Sequence, residues 1–407
     1  MWSGKMEHIE IKALHNRCEC LVNRDTIQIF FALLRSAICG TKLTAEERSN
    51  YSSKMLQNLL SLSSKHDLSH VLVHGLQQNN LISKENADLN ELVFEALYRC
   101  EQIKYEYENL CSALEKAKIP FLPLKGSLLR EYYPEEWMRT SCDIDVLVHR
   151  EDLDRAVAYL TDHYEYDEIE RDTHDVSLYS PTDIHVELHF DLVEEYIAQN
   201  ANEVLNRVWD NVNLCENSEY RYEMSDPYFY FYHIAHMAKH IEIGGCGIRT
   251  FLDLWILDHM ENIDQAARDR LLEQGGLLQF AESSRKLSRV WFGGEDMDDL
   301  LSRMQDFILC GGMYGTSENR VVLHQSKMGG RFGYILSRVF IPFAKLKRYY
   351  PILEKHPWLM PLMQIRRWFM LLKPEIAQMA KREIIANRKL EKEKADKMHA
   401  FLNEIGL

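Results

Sequence analysis

The stretch PFLPLKGSLLREYYPEEWMRTSCDIDVLVHREDLDRAVAYL, residues 120–160, decides the fold class of this 407-residue chain. Residues 121–124 form a short apolar run that predicts a strand, and this strand ends at a lysine–glycine–serine turn at 125–127. Residues 143–148 alternate and are rich in β-branched side chains, which predicts a second strand. Residues 153–160 place apolar side chains at helical spacing, so we expect a helix after that strand.

Helices are predicted on both sides of this unit. Residues 25–115 show helical periodicity, with breaks between helices expected at 40–41 and at 61–64. An aspartate–proline pair is predicted to start a long aromatic helix over 226–243, and residues 375–406 are predicted to form one charged helix. We therefore expect an α+β fold, in which a small mixed-sheet core is flanked by N-terminal and C-terminal helical regions.

The expected domain organisation has four parts. Residues 1–115 are an N-terminal helical region and residues 116–215 are the mixed-sheet core. Residues 216–330 are a helical region that completes the cleft. Residues 331–407 hold an aromatic and basic segment and the charged C-terminal helix.

Composition limits the classes of function. The formal net charge of -14 argues against bulk binding of nucleic acid, because phosphate backbones are held by an excess of Lys and Arg. Nine cysteines without a zinc-type pair, and an N-terminus without a secretion signal, favour reduced thiols and a cytoplasmic location. No apolar run reaches the roughly 18 residues that a transmembrane helix needs, so we expect no transmembrane segment.

Two carboxylates share one face of the strand at 143–148. Side chains alternate across a strand, so Asp143 and Asp145 point to the open face while the Ile and Val side chains are buried. Carboxylates this close repel each other unless a cation lies between them, and oxygen ligands suit Mg²⁺, or Mn²⁺ in its place. Taken alone, the pair is more typical of two solvated aspartates at a strand end. The upstream glycine turn favours the metal site.

A further strand, residues 184–190, repeats the alternation and offers a third acid. His185, Glu187 and His189 line its polar face. If this strand lies beside the first, Glu187 becomes the third carboxylate of a two-metal site. The simpler alternative is an exposed strand residue, with Asp183 or Asp191 as the replacement acid.

The turn at 125–127 is suited to a phosphate group. Gly126 lets the backbone approach a ligand closely, and Ser127 offers an amide and a hydroxyl at a predicted helix N-terminus. Lys125 is either a neutralising charge for phosphate or a surface residue.

Three histidines of the long aromatic helix, His233, His236 and His240, form a stripe on one face. Either His236 and His240 line a nucleotide or acceptor cleft together with Lys239, or the histidines are half-buried among aromatic neighbours. A metal site built from one helix is disfavoured. Arg249 and Asp253, one helical turn apart, are predicted to form an ion pair.

The segment 332–372 mixes aromatic and basic residues. It is interpreted as an interfacial membrane segment, as a docking site for an acidic partner, or as a segment packed on the protein. The charged helix that follows is expected to be solvated or to form a short coiled coil.

These motifs together resemble a family of largely uncharacterised bacterial nucleotidyltransferases within the DNA polymerase β-like superfamily. The resemblance covers roughly residues 115–260 and is loose beyond them. It departs from the wider superfamily in the long insert before Asp143 and in having Glu187 as the third acid. The residues that carry it are Lys125-Gly126-Ser127, the run from Arg139 to Val148, His185-Val186-Glu187-Leu188-His189, His236, His240, Arg249 and Asp253.

The resemblance implies Mg²⁺-dependent transfer of a nucleoside monophosphate from a nucleoside triphosphate to an acceptor hydroxyl, with release of pyrophosphate. The acceptor is expected to be a small molecule, a sugar or a protein side chain. The alternatives are a catalytically inactive, nucleotide-binding module of the same fold and a toxin that nucleotidylates tRNA or protein. The implied catalytic and metal-binding residues are Asp143, Asp145 and Glu187, and the implied nucleotide-binding residues are Lys125, Gly126, Ser127, Arg139, His236, Lys239 and His240.

Overall fold

The computed structural model describes residues 23–172, 174–193, 198–313, 315, 319, 322–323, 339–350, 352–370 and 392–407. The predicted helix at 375–406 lies partly outside these residues, and its described part, Lys392–Ile405, is helical. A search of the described residues for a helix able to span a bilayer finds none.

The N-terminal third is helical, as predicted. Gly40 ends the first helix with φ at 68°, a left-handed conformation that glycine adopts without strain. The predicted break at 61–64 is wrong, because Leu59 and Leu62 bury one face of a continuous helix there. The chain turns instead at Asp67, whose φ is 55°. The helices are α1 (Arg24–Cys39), α2 (Ala45–Asn50), α3 (Leu56–Lys65), α4 (Ser69–Gln78) and α5 (Ala87–Lys116).

A five-stranded mixed sheet follows and confirms the predicted α+β class. Its strand order is β1-β2-β5-β4-β3, in which β2 and β5 are parallel and all other neighbours are antiparallel. The strands are β1 (Phe121–Pro123), β2 (Asp143–Val148), β3 (Asp167–Arg171), β4 (Asp175–Tyr179) and β5 (His185–His189). The short helix α6 (Lys125–Leu129) lies between β1 and β2, and α7 (Leu153–Tyr164) follows β2.

Hydrophobic burial fixes which way the central strands face. Ile144 and Val146 of β2 are fully buried in one cluster with side chains of α5 and α7. The opposite face carries Asp143 and Asp145, and then Leu147, which packs into a second, larger core of helices. The two acids therefore lie on a part of this face that the helices leave partly exposed.

The larger core joins helices from both ends of the sequence. Phe31 of α1, for example, stacks on Trp291 with 4.4 Å between ring centroids. The predicted aromatic helix is confirmed as α9 (Asp226–Glu242), with Pro227 in its first turn. The other elements after the sheet are α8 (Gln199–Leu205), β6 (Val212–Leu214), β7 (Tyr222–Met224), α10 (Ile248–Asp258), α11 (Gln265–Gln274), α12 (Leu278–Ser288), a π-helical turn (Arg289–Gly293) and α13 (Asp299–Gly311).

The described C-terminal residues form two further pieces. Helices α14 (Phe343–Tyr349), α15 (Ile352–Lys355) and α16 (Met360–Met370) surround a small core of their own. Helix α17 (Lys392–Ile405) returns to the larger core, where Leu402 and Ile405 are buried.

A buried ion pair ties the segment before β2 to the helical core. The Nε–H of Arg139 donates to Asp253 Oδ1 over 2.7 Å, and the hydroxyl of Tyr133 donates to the same oxygen over 2.6 Å. The predicted pair of Arg249 with Asp253 is wrong, because Arg249 instead binds Asp67 at 2.8 Å. Asp253 instead binds Tyr133 and Arg139, which lie more than 100 residues earlier in the chain, and spacing along one helix cannot reveal such partners.

We expect Asp253→Asn to lower the free energy of unfolding by about 3 kcal/mol or more, because Arg139 would keep a buried charge without a counter-ion. Glu295→Gln is the matched control, since it removes one partner of the half-exposed Arg289–Glu295 pair and should change stability little. Denaturant unfolding of both variants measures the difference. Equal losses would show that the buried pair has no special weight.

Candidate active site

The parallel pairing of β2 with β5 builds the site. Asp145 lies directly opposite Glu187 in the register, and Asp143 lies opposite His185. All of these side chains are partly exposed on the open face of the sheet. The structure thus brings the three acids of the sequence analysis together on two neighbouring strands, and their catalytic and metal-binding roles remain predictions.

His189 joins the acids as a fourth member. Its Nε2 lies 3.3 Å from Asp145 Oδ1 and 3.3 Å from Glu187 Oε2. Burial opposes its protonation, but the hydrogen bonds and charges of the two carboxylates prevail and raise the pKa of His189 to about 10. Alternation places His189 on the polar face of the strand, but its contacts depend on strand pairing, which the local sequence does not reveal.

The cluster carries more negative charge than His189 neutralises. Burial, together with the charges of Asp145 and Glu187, raises the pKa of Asp143 to about 6. Burial also acts to raise the pKa of Asp145, but the hydrogen bond and charge of His189 and the charge of Lys125 outweigh it and lower that pKa. A carboxyl whose pKa is raised by neighbouring acids marks a place where a cation is favoured.

The donor set fits a divalent cation. Ligand atoms of Asp145, Glu187 and His189 all lie within 4.8 Å of one another. The carboxylate oxygens suit Mg²⁺ or Mn²⁺, and sulfur ligands, which would favour zinc, are absent from this group. His189, which its raised pKa keeps protonated at pH 7, would have to lose its proton before its imidazole nitrogen could bind an ion. A second group, His174, Asp175 and His189, has the same spacing and shares His189 with the first.

The glycine turn lies beside the acidic strand. The N–H of Leu124 donates to Asp145 O over 2.9 Å, which fixes the start of α6 against β2. Arg130 donates to Gly126 O over 3.3 Å and to Ser141 Oγ over 2.8 Å, and thus links the turn to the residues before Asp143. A Cβ at Gly126 would lie 3.4 Å from the Ser141 Cβ, so the two segments are in contact.

Ser127 is enclosed by the protein. Its side chain is buried, and among the described residues its hydroxyl has no hydrogen-bond partner. The residue lines a cavity of about 170 Å³ together with Tyr107 and Glu108 of α5, Arg130 and Arg221. A phosphate-binding role for the hydroxyl stays a prediction.

The histidine stripe divides into two parts. His233 is buried, and its Nε2 lies 3.0 Å from Thr250 O. His236 and His240 are half-buried with their Nε2 atoms 3.1 Å apart. No metal-ligand group within the described part of the chain includes any of the three.

Lys125 connects the stripe to the acids. Its ammonium lies 4.8 Å from the ring centroid of Tyr232 on α9. Burial and then the charge of Lys125 lower the pKa of His240 to about 3, and the same two causes hold the pKa of His236 well below its usual value. Both imidazoles are therefore neutral at pH 7 and offer hydrogen bonds rather than charge. Lys239, next to them on α9, is half-buried.

The two arginines of the motif take different places. Arg139 is buried and engaged by Asp253, and it also donates to Thr140 O over 2.6 Å. Arg249 donates to Thr140 O over 3.0 Å, and its charge acts to lower the pKa of Asp143. Arg139 therefore has a supporting position, and the charges of both arginines interact with Asp143.

The replacement acids lie apart from the cluster. Asp183 is exposed in the turn before β5, where its φ is 63°. Asp191 follows β5, accepts from the N–H of Val193 and pairs with Arg150 at 3.9 Å. Neither faces Asp145 across the strands as Glu187 does.

The protein family described as uncharacterised nucleotidyltransferase matches residues 52–293, which is more than half of the chain. No curated protein and no solved structure matches. The matched range contains the sheet, the turn at 125–127 and helices α9 and α10.

Affinity for Mn²⁺ tests which of the two ligand groups holds an ion. We expect Glu187→Gln to weaken Mn²⁺ binding at least about tenfold, because it removes a charged ligand atom. His174→Gln is the matched control, and it should leave the affinity nearly unchanged in a titration followed by electron paramagnetic resonance. A larger loss in His174→Gln would place the ion in the second group.

Proposed function

The chain belongs to the family of uncharacterised nucleotidyltransferases, and from this premise we propose that it transfers a nucleoside monophosphate from a nucleoside triphosphate to an acceptor hydroxyl. Pyrophosphate is the second product. The observation that carries the proposal is the placement of Asp145 opposite Glu187 on parallel strands, with Asp143 beside them. Three acids held in this way next to a glycine turn suit triphosphate chemistry better than simple surface solvation.

Asp143, Asp145 and Glu187 are the residues that would hold Mg²⁺, or Mn²⁺ in its place. When bound, the divalent ion offsets the charge of the triphosphate and of the transition state. Burial is the main cause of the raised pKa of Asp143, and the neighbouring charges of Asp145 and Glu187 add to it. That neighbouring negative charge also attracts a cation, which supports this assignment.

The residues around the acids are suited to the rest of the nucleotide. The backbone at Gly126, which packs against Ser141, lies beside the acidic strand and is the candidate phosphate site, and the ammonium of Lys125 acts on Asp145 from the side of α9. Neutral His236 and His240 offer hydrogen bonds to base or sugar, and Lys239 extends the same face. Arg139 acts through Asp253 by holding the segment before β2 in place.

In the proposed reaction the acceptor oxygen attacks the α-phosphorus in line with the leaving group. A bond from that oxygen to phosphorus forms, and the bond from the α-phosphorus to the oxygen that bridges to the β-phosphate breaks. The acceptor hydroxyl gives up its proton to the carboxylate cluster, and pyrophosphate leaves with the bridging oxygen.

The acceptor is proposed to be a small molecule, a sugar or a protein side chain. The net charge of -14 disfavours tRNA, although it does not bear on a small acceptor. Incubation with each labelled triphosphate and a cell extract, followed by mass spectrometry of the labelled product, would identify both substrates.

We expect Asp143→Asn combined with Asp145→Asn to lower pyrophosphate release at least about a hundredfold, since both proposed metal-ligand charges are lost. A coupled pyrophosphate assay with Mg²⁺ measures the rate. Thermal unfolding should show that the variant stays folded, because both side chains are partly exposed.

Asp167→Asn combined with Asp183→Asn is the matched control. It removes two exposed aspartates from the same sheet region, and it should keep the parent rate. Equal activity of the two double variants would contradict the assignment of the acids. Nucleotide binding by the parent protein without pyrophosphate release would favour the inactive binding module.

A further inference from the structure

The helical unit formed by residues 339–370 turns an apolar face outward. Trp358, Leu362, Ile365 and Phe369 are exposed by 74%, 56%, 44% and 69%. Their spacing of four, three and four residues places them on one side of α16 and of the turn before it. Eight of the seventeen large apolar side chains that the described residues expose lie in this unit.

The unit does not need this face for its own packing. Its inner side is closed by a core of Ile341, Leu346, Leu353 and Met363. The Trp368 indole also donates to Val339 O over 2.8 Å, which fixes α16 against the start of the unit. The outward face is therefore apolar surface beyond what a solvated helix carries, and such surface marks an interaction site.

The charge of the unit is opposite to that of the chain. Residues 339–370 contain six Lys and Arg residues and one Glu, a net charge of +5, in a chain of net charge -14. Arg366 is exposed on α16 between the apolar side chains, and its guanidinium lies 5.5 Å from the ring centroid of Tyr350. The unit thus combines exposed aromatic rings with cations, the pattern of helices that lie at a membrane surface.

We propose that this face, made by Trp358, Leu362, Ile365 and Phe369, binds the surface of an anionic lipid bilayer. The 11 described residues of helix α16 extend about 16 Å at 1.5 Å per residue, well under the roughly 30 Å hydrocarbon core, and no helix among the described residues is able to span a bilayer. Helix α16 therefore lies in the interface with its apolar face toward the lipid chains. Lys355 and Arg366 contact the anionic headgroups, and the aromatic rings sit at headgroup level.

A lipid surface fits these observations better than a protein pocket. The exposed aromatics are spread along the whole unit, from Phe340 through Tyr349 and Trp358 to Phe369, rather than gathered in one anchor. Lipid headgroups accept such a broad, shallow contact and require only charge of the opposite sign. The proposal does not depend on the proposed transfer reaction, because no residue of the active site takes part.

Flotation of the full-length protein with vesicles tests the proposal. Vesicles of phosphatidylcholine mixed with phosphatidylglycerol should bind the protein at least about tenfold more tightly than vesicles of phosphatidylcholine alone, and high salt should reduce this preference. Trp358→Ser combined with Phe369→Ser should lower binding at least about tenfold. Lys355→Glu combined with Arg366→Glu should abolish the preference for anionic vesicles.

The matched control is Phe94→Ser combined with Tyr98→Ser. These two aromatics of α5 are 67% and 59% exposed but lie outside the basic unit, so their loss should leave vesicle binding unchanged. Absence of vesicle binding, or equal losses in both aromatic double variants, would overturn the proposal. A self-associated protein that binds no vesicles and becomes monomeric in Trp358→Ser/Phe369→Ser, seen by light scattering, would instead assign the face to a second copy.

Discussion

The candidate active site depends on the placement of Asp145 opposite Glu187 on two parallel strands, although this contact is electrostatically unfavourable. Like charges directly across a strand pair destabilise a sheet, and this pair is partly buried as well. His189 relieves part of the repulsion by lying 3.3 Å from both carboxylates. Burial, together with the remaining negative charge, raises the pKa of Asp143 to about 6. A fold that keeps such a cluster on a partly exposed face of the sheet is suited to hold a cation there.

Three arginine side chains fix the segment that precedes β2, and so position the acidic residues of that strand. Arg130 links the glycine turn to Ser141, and Arg139 links the same segment to Asp253 in the helical core. Arg249 adds a contact from α10 to Thr140 O. These three links fasten residues 139–141, directly before β2, to both the turn and the helices. Removing one of them would therefore shift Asp143 and Asp145 without touching them.

The strands and helices around the site could be predicted because they follow from local sequence patterns. Alternation in β2 and β5 determines which side chains share a face, and the sequence of α9 shows helical periodicity. The partners that come from distant segments could not be predicted in the same way. Arg249 was assigned to Asp253 by helical spacing, yet it binds Asp67, which is remote in sequence.

The burial of particular side chains could not be predicted from residue type either. The sequence predicts that the Ser127 hydroxyl serves a phosphate, and the structure buries that hydroxyl in a residue that lines a cavity next to α5. The serines at 61–64 predict a break, yet Leu59 and Leu62 are buried along one face of a continuous helix. In both cases tertiary packing determines burial, which residue type alone does not show.

The central claim is that the acids of β2 and β5 form one cation site beside the glycine turn. Crystals grown with Mn²⁺ and a non-hydrolysable triphosphate, measured at the manganese absorption edge, would locate the ion directly. We expect an anomalous peak from manganese between the carboxylates of Asp145 and Glu187, with the triphosphate next to Gly126. A peak at His174 and Asp175 alone, or a triphosphate bound away from β2, would contradict it.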